Sequence, residues 1–336
     1  MMSGEAKEDA RKTGTQAAGR RALVLGATGG IGGELARRLV AAGWRVRALH
    51  RNPMRLGVDA DGVEWTRGDA LSAADVRAAA DGASLIVHAV NPPGYRNWGE
   101  LVLPMVDATI AAAIDQGARV LLPGTVYNYG PDAFPLIDED APQRPLTRKG
   151  AIRVEMERRL GDAVGRGAKL LILRAGDFFG PRSGNTWFAQ GLVTAGRPVA
   201  RVTLPGRPGV SHQWAYLPDL ADTAVRLLDR PEGLDDAARF HVGGHWDPDG
   251  TAMAAAIARA VGRADLPVRR LPWGLFRLAA PFVPFIREVM EMRYLWEQPV
   301  RLDNRRLVAA LGAEPHTPLD EAVRRSLIGM GCLPAA

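Results

Sequence analysis

The stretch that decides the fold spans residues 21–51 and reads RALVLGATGGIGGELARRLVAAGWRVRALHR. Residues 22–25 form a short apolar run typical of a buried strand, and residues 44–49 alternate like a second strand. Between them, apolar side chains recur at helical spacing, at Ile31, Leu35 and Leu39. Three glycines, Gly26, Gly29 and Gly32, therefore lie at the junction of a strand end and a helix start. Free N–H groups and the helix dipole favour an anion such as a pyrophosphate there.

Each glycine in this turn has a separate expected role. The first allows the tight turn, the second lets a phosphate approach the backbone, and the third lets the helix pack on the strand. A flexible loop is the alternative interpretation, but the flanking strand and helix favour a dinucleotide site. The candidate cofactor-binding residues of the turn are Gly26, Thr28, Gly29, Gly30, Ile31 and Gly32.

Composition excludes several classes of function. The 336 residues carry a net charge of +6, but arginine is scattered along the chain, whereas a nucleic-acid binder needs clustered charge. The single cysteine, Cys332, excludes an intrachain disulfide and fits a reducing cytoplasm. Residues 1–20 have no apolar core, so we expect a disordered extension rather than a secretory signal. No apolar run is long enough to span a membrane. We therefore expect a cytoplasmic protein with a small-molecule substrate and neither nucleic acid nor membrane as a partner.

Further strand and helix patterns predict an α/β fold with a doubly wound parallel sheet of the Rossmann type. Four more buried strands are predicted at residues 63–66, 84–90, 119–122 and 168–174, and a long helix at residues 101–115. We expect a dinucleotide-binding domain over residues 21–180, to which residues 212–245 return. Residues 181–211 and 246–330 are expected to form a smaller substrate lobe.

The residues after the second strand bear on the choice of cofactor. NAD-specific folds place an acidic residue here that binds the adenosine ribose, and this chain has none. Arg51 and Arg55 are instead positioned to pair with a 2′-phosphate, which favours NADP, with NAD as the alternative. Two solvated surface arginines are the competing interpretation. Farther along, Asp69 precedes a helix predicted to start near Ser72, and a plain helix N-cap is one role for it.

Several motifs resemble the extended short-chain dehydrogenase/reductase superfamily, which includes the sugar-nucleotide epimerases and dehydratases. They are the GxxGxxG turn, the Val126-Tyr127 pair with Gly130, the acidic and proline-rich residues 135–145, and Asp177-Phe178-Phe179-Gly180-Pro181. The resemblance continues through residues 212–221, 241–244 and 303–327. It implies that Asp69 and Ala70 contact the adenine, and that Ala89, Val90 and Asn91 pass beneath the cofactor ribose and pyrophosphate.

The catalytic residues depart from the pattern of that superfamily. The expected Ser or Thr is replaced by Pro123, the proton-shuttling Tyr by Lys149, and its Lys partner by Arg153, and no Tyr-x-x-x-Lys exists in the chain. Isoflavone-reductase-like relatives use a lysine without the tyrosine, so Lys149 is a candidate proton donor. The alternative is a surface lysine at a helix start.

Other side chains are also candidates at this centre. Thr125 and Tyr127 could orient a carbonyl or donate a proton, although Tyr127 could simply pack against the next loop. Asp177 and His212 face the expected substrate side, but each could equally be structural. No spacing typical of a metal site is present.

The second half of the chain is expected to bind the substrate. Residues 271–296 are the most aromatic part of the chain. They could line a pocket or lid over the cofactor, form plain core, or lie on a membrane surface, although three prolines and short apolar runs argue against a regular interfacial helix. The pocket or lid is the favoured interpretation, and it favours a substrate with a hydrophobic portion. Arg182, Arg201 and Arg207 could instead bind a diphosphate. The resemblance implies a homodimer paired through helices at residues 101–115 and 151–161. We expect an NADP-dependent oxidoreductase or epimerase acting on a carbonyl/alcohol pair. A cofactor-binding regulator or scaffold that has lost catalysis is the alternative.

Overall fold

The computed structural model describes residues 20–54, 56–92, 97–230 and 233–334. The expected disordered extension and Arg55 therefore lie outside the described residues, except for Arg20. Among the described residues, every helix is too short or too polar to cross a bilayer.

An eight-stranded sheet forms the centre of the molecule and confirms the predicted α/β fold. Its strand order is β12-β8-β6-β5-β1-β2-β4-β3, and every neighbouring pair is parallel except β3 with β4. The strands are β1 (Arg21–Leu25), β2 (Arg45–His50), β3 (Gly57–Val58), β4 (Val63–Arg67), β5 (Leu85–His88), β6 (Arg119–Gly124), β8 (Lys169–Arg174) and β12 (Ala237–His241). All six predicted strands are present. The two-residue β3 is too short to give a periodic signal.

Smaller sheets extend the fold beyond the carboxyl ends of the main strands. Their strand orders are β13-β11-β9, β10-β14 and β15-β7. The strands are β7 (Leu136–Ile137), β9 (Asp177–Phe179), β10 (Val202–Leu204), β11 (His212–Tyr216), β13 (His245–Asp247), β14 (Val268–Arg270) and β15 (Arg301–Leu302).

Helices cover both faces of the main sheet and build the second lobe. In chain order they are α1 (Gly30–Ala41), α2 (Ala73–Ala79), α3 (Trp98–Gln116), α4 (Arg148–Val164), α5 (Leu217–Leu228), α6 (Ala252–Ala260), α7 (Trp273–Ala279), α8 (Pro284–Glu291), α9 (Arg305–Leu311) and α10 (Leu319–Gly329). Short 3₁₀ turns occur at Val126–Asn128, Pro131–Ala133 and Arg293–Trp296, and a π-helical turn at Trp187–Leu192.

Two apolar cores sandwich the main sheet. Side chains of α1, α5 and α9, including Leu35, Leu220 and Leu307, bury one face, and side chains of α2, α3 and α4 bury the other. A third core, with Trp214, Ile257, Trp296 and Leu327, holds the second lobe together around β11, α6 and α10. Strand order reverses between β1 and β5, so the crevice outside their carboxyl ends is a topological switch point, where such folds bind their ligands.

Candidate active site

Two of the three glycines in the turn after β1 leave no room for a side chain. Gly26 has φ of +90°, and a Cβ there would lie 2.5 Å from the carbonyl oxygen of Ala89. A Cβ on Gly32 would lie 2.2 Å from the carbonyl oxygen of Gly26. At Gly29 the nearest atom would be 3.3 Å away, and this residue is exposed together with Thr28. The turn is thus packed tightly on its inner side and open on the other.

The open side of the turn presents the amino end of α1. Gly29 is the N-cap and contributes no side chain, and no other side chain caps the helix within the described residues. The backbone N–H groups of Gly30, Ile31 and Gly32 also have no hydrogen-bond acceptor among the residues that the structure describes. Unpaired amides and the positive end of the helix dipole suit an anion. These residues therefore fit the diphosphate of a dinucleotide.

The remaining predicted cofactor residues lie along the same edge of the sheet. Arg51 is exposed at the end of β2, and Asn91 is exposed three residues beyond β5. Ala89 and Val90 are half-buried between them, and the N–H of Ala89 donates to the carbonyl of Leu25 at 2.9 Å. Both strand ends therefore border the crevice at the switch point.

Asp69 does not have the plain N-cap role that was one alternative. Ser72 is the N-cap of α2, because its hydroxyl accepts a hydrogen bond from the N–H of Asp75 at 3.2 Å. The carboxylate of Asp69 instead accepts from the N–H of Leu71 at 3.0 Å, within the turn before the helix. Asp69 and Ala70 are both half-buried.

Lys149 is not the surface lysine that the sequence left open. Its side chain is 2% exposed, although it stands in the first turn of α4, which Thr147 caps. The ammonium forms ion pairs with Glu288 and Glu291, and donates to the carbonyl of Glu288 at 3.2 Å. Both carboxylates come from α8, so Lys149 joins the N-terminal domain to the second lobe.

A cavity of about 240 Å³ opens beside this ion-pair cluster. Its wall is strongly polar and combines residues of α3, α4 and α8: Asn97, Trp98, Gly99, Glu100, Arg148, Lys149, Ile152, Arg287, Glu288 and Glu291. A polar or charged group of a small molecule could be bound here.

Thr125 and Tyr127 are half-buried in the turn that follows β6. Thr125 precedes the 3₁₀ turn Val126–Asn128, and its hydroxyl accepts from the N–H of Tyr127 at 3.4 Å. The ring of Tyr127 packs against a small apolar cluster around Tyr129 and Ile137. Its packing role, one of the two alternatives, is therefore present in the structure.

A buried ion pair that sequence reasoning missed holds this turn in place. Arg174 is fully buried and Glu157 nearly so, and Nη2 of Arg174 lies 2.8 and 2.9 Å from the two carboxylate oxygens. Arg174 also donates to the carbonyl of Thr125. Asn128 and Gln143 donate to the same carboxylate at 2.9 and 3.0 Å. Burial alone raises the pKa of Glu157, but the charge of Arg174 and these hydrogen bonds outweigh it, and the net pKa is lowered.

Arg153, the residue at the position of the superfamily's lysine, packs against an aromatic ring. Its guanidinium lies 5.0 Å from the ring centroid of Trp98. Burial, and secondarily the charge of Arg153, lower the pKa of His88 to about 3, so this histidine is neutral. His88 Nδ1 lies 2.8 Å from the hydroxyl of Thr109.

Asp177 and His212 form a pair across β9 and β11. Nε2 of His212 lies 2.8 Å from the carboxylate of Asp177, and the imidazole stacks on Trp296 with 3.8 Å between ring centroids. Both side chains are partly exposed, His212 at 13% and Asp177 at 22%. A carboxylate that orients an imidazole is an arrangement suited to proton transfer.

The three arginines considered for a diphosphate lie in different environments. Arg182 is 3.5 Å from the carboxylate of Asp61, and Arg207 is 3.0 Å from that of Glu297. Arg201 is exposed. Two of the three are thus already paired with acidic side chains.

Comparison with known proteins agrees with this geometry. Residues 26–176 match the family model described as NAD(P)H-binding. No curated protein matches the sequence. A solved structure from Burkholderia cenocepacia, described as that of an epimerase, is 22% identical and superposes with a TM-score of 0.74 over 94% of this chain and 99% of that one.

Two other similar structures are sugar-nucleotide epimerases. UDP-glucose 4-epimerase from Bifidobacterium longum, in complex with NAD⁺ and UDP, is 17% identical, with a TM-score of 0.70 over 91% of this chain and 97% of that one. UDP-glucuronic acid 4-epimerase from Bacillus cereus, in complex with NAD, is 14% identical, with a TM-score of 0.70 over 92% and 98%. Residues 26–176 therefore match an NAD(P)H-binding family, and the whole chain shares the fold of these epimerase structures.

Proposed function

We propose that this protein is an NADP-dependent oxidoreductase or epimerase that acts on a carbonyl/alcohol pair of a small molecule. The observation that carries the proposal is the open, uncapped amino end of α1 at the switch point between β1 and β5. A nicotinamide cofactor bound there supplies hydride transfer. The chain must then orient the substrate and handle one proton.

The choice of NADP over NAD rests on Arg51. This arginine is exposed at the end of β2 and has no ion pair within the described residues. Its guanidinium is free to pair with a 2′-phosphate, which the ribose hydroxyl of NAD does not offer. Arg51→Glu should therefore weaken NADPH binding at least about tenfold and leave NADH binding unchanged or improved.

Proton handling is assigned in our proposal to groups at the carboxyl edge of the sheet. The hydroxyls of Thr125 and Tyr127 orient the carbonyl, and the Asp177–His212 pair is a second proton donor. Lys149 keeps a role at the site, but with two carboxylates bound to its ammonium it forms the pocket wall rather than donating the proton. We expect a substrate that combines a polar group, held in the charged cavity, with a hydrophobic portion.

Titration of the purified protein with NADPH and NADH, followed by thermal shift, tests the cofactor assignment. At a cofactor concentration of 100 Kd, binding should stabilise the protein by about 2.7 kcal/mol. Gly29→Ala should reduce this shift, because it adds a methyl group at the exposed N-cap residue of α1, where the diphosphate is expected to bind. Gly161→Ala is the matched control, since no atom lies within 4 Å of a Cβ there. The absence of any shift with either cofactor would refute the assignment.

One observation favours the alternative of a cofactor-binding regulator without catalysis. Lys149, the residue at the position of the proton-shuttling tyrosine, forms ion pairs with Glu288 and Glu291. Oxidation of NADPH by any member of a panel of aldehydes, ketones and sugar nucleotides would exclude this alternative. Loss of that turnover in His212→Asn or Tyr127→Phe, with NADPH affinity retained, would identify the proton donor.

We also propose a cytoplasmic homodimer paired through α3 and α4. The outer surface of α4 carries ion pairs of Glu155 with Arg158 and Arg159. Sedimentation equilibrium of the wild-type protein tests this pairing, and a monomer at micromolar concentration would contradict it.

A further inference from the structure

The hairpin formed by α7 and α8 has an unusual sequence. Residues 266–287 read LPVRRLPWGLFRLAAPFVPFIR and contain four arginines and no aspartate or glutamate. Arg277 and Arg287 belong to α7 and α8, and Arg269 and Arg270 to β14 just before the hairpin; all four are exposed, and Arg270 donates to the carbonyl of Gly206 at 2.7 Å. Within the part of the chain that the structure describes, none of them has an ion pair. The segment is therefore both strongly apolar and uniformly basic.

The apolar side chains of this hairpin lie in solvent. The exposed fractions are 65% for Leu275, 70% for Leu278, 84% for Phe282, 40% for Val283 and 49% for Phe285. We call these five residues the hairpin face. Bulky apolar side chains that are exposed singly are ordinary, but five of them within one helical hairpin mark a candidate interaction surface.

The opposite side of the hairpin is anchored to the body of the protein. Val289 of α8 is buried, and Glu288 and Glu291 hold Lys149. In α7, the indole N–H of Trp273 donates to the carbonyl of Pro205 at 2.7 Å. The hairpin face is consequently the outer side of a fixed element, and cannot turn inward without breaking these contacts.

We propose that the hairpin face docks on the surface of an anionic lipid bilayer. Leucine and phenylalanine side chains enter the boundary between headgroups and acyl chains, while the surrounding arginines pair with lipid phosphates. Charge complementarity selects this occupant, because the two acidic residues of α8, Glu288 and Glu291, are paired with Lys149, whereas the exposed arginines near the face have no acidic partner among the described residues and suit an anionic surface. A second copy of the same chain would instead bring four arginines against four arginines. This proposal replaces the sequence-based expectation that the membrane is not a partner, and it does not depend on the proposed function.

Vesicle flotation with the full chain tests the proposal. Wild-type protein should float with vesicles that contain about 30% phosphatidylglycerol and stay in solution with pure phosphatidylcholine, because each arginine gains from the anionic surface. Raising the salt from about 0.1 to 0.5 M should reduce binding several-fold, since the Debye length shortens. Failure to float with anionic vesicles at low salt would overturn the proposal.

Two serine variants distinguish binding through the hairpin face from non-specific adsorption to vesicles. Phe282→Ser/Phe285→Ser should lower the apparent affinity for anionic vesicles about tenfold or more, because it removes two exposed aromatic rings that enter the bilayer in our proposal. Leu56→Ser is the control, since Leu56 is 64% exposed and lies in the other lobe; its vesicle binding should equal that of the wild type. Equal binding by the double variant would overturn the proposal.

A fluorescent dye attached to the hairpin face gives a second test, which detects insertion into the bilayer directly rather than a loss of binding. The native Cys332 is only 5% exposed, so an environment-sensitive dye should attach to an introduced cysteine. Dye on Phe282→Cys should shift to the blue with anionic vesicles, whereas dye on Leu56→Cys should not. A blue shift at Phe282→Cys without vesicles, together with dimers in sedimentation that Phe282→Ser abolishes, would show that a second copy covers the face and would overturn the proposal.

Discussion

Replacement of Glu157 by glutamine should strongly destabilise the protein, because the substitution leaves a buried arginine without its counter-charge. The carboxylate accepts two hydrogen bonds from Arg174 and one each from Asn128 and Gln143. Glutamine has nearly the same shape, but it has no charge, and one of its acceptors becomes a donor that faces other donors.

The expected cost follows from the burial of the pair. The side chains of Arg174 and Glu157 are 0% and 4% exposed, so water cannot replace the lost partner. Removing one member of such a buried pair costs about 3–5 kcal/mol. The same substitution at Glu155, two residues earlier in α4, affects ion pairs whose side chains are 32% to 57% exposed. Glu155→Gln should therefore cost far less than Glu157→Gln, because water screens the exposed ion pairs.

Equilibrium unfolding in guanidinium chloride, followed by circular dichroism, measures both variants at pH 7. The double variant Glu157→Gln/Arg174→Met should be more stable than the sum of the single effects predicts, because it removes both charges. The pKa of Glu157 is lowered in the folded protein, so its stabilising effect is present above its ordinary pKa of 4.5 and is lost as the pH falls through the folded value. The difference between wild type and Glu157→Gln should shrink accordingly in acid.

Two results would refute this reasoning. A cost for Glu157→Gln no larger than that for Glu155→Gln would mean that the pair is not isolated from water. Additive effects in the double variant would mean that the two side chains do not stabilise each other. In either case, Arg174 could not be regarded as the group that fixes the Thr125 turn.

Three further predictions follow from the same contacts. Gly32→Ala should lower the melting temperature by several degrees, because its Cβ would lie 2.2 Å from the carbonyl oxygen of Gly26; an unchanged melting temperature would contradict the packed turn. Lys149→Met should lower stability, because it leaves Glu288 and Glu291 without their shared cation, while NADPH affinity measured by fluorescence should stay within about twofold; a large loss of affinity would instead place Lys149 at the cofactor. Burial, with smaller contributions from neighbouring cationic groups, lowers the pKa of His88 and His241 to about 3 and that of His245 to about 4. Since these rings titrate near pH 6.5 when unfolded, unfolding takes up protons below that pH. Stability should therefore fall between pH 6.5 and 4, by about 2–3 kcal/mol for each histidine, in urea titrations over that range; a flat profile would show that the rings are solvated.

The nucleotide half of the protein could be predicted from sequence because its signals are local. A buried parallel strand is a short apolar run, and part of the need for glycine in the turn after β1 is also local, although the clash of a Cβ on Gly26 is with the distant Ala89. The third glycine illustrates this: a Cβ on Gly32 would collide with the backbone only six residues earlier in the chain. Helix caps were harder to predict, because Asp69 and Ser72 are both good capping residues and only the backbone conformation makes Ser72 the N-cap.

The candidate active site depended on contacts between distant parts of the chain, which no local pattern encodes. Lys149 is buried because α8, about 140 residues later, brings two carboxylates to it. His212 and Asp177 are 35 residues apart and meet only because β9 and β11 pair.

The sequence by itself determined the glycine turn, the positions of the six predicted strands along the chain and the absence of the Tyr-x-x-x-Lys motif, since all three depend on residues close together in the chain. Only the tertiary structure decided which charged groups are neutralised and which apolar side chains face solvent. Residues 271–296 illustrate the difference: the sequence allowed a pocket, a lid, core or a membrane-facing surface, while in the structure Leu275, Leu278 and Phe282 lie in solvent. The local sequence does not indicate which neighbour, if any, covers an apolar side chain, because burial depends on how distant elements pack together.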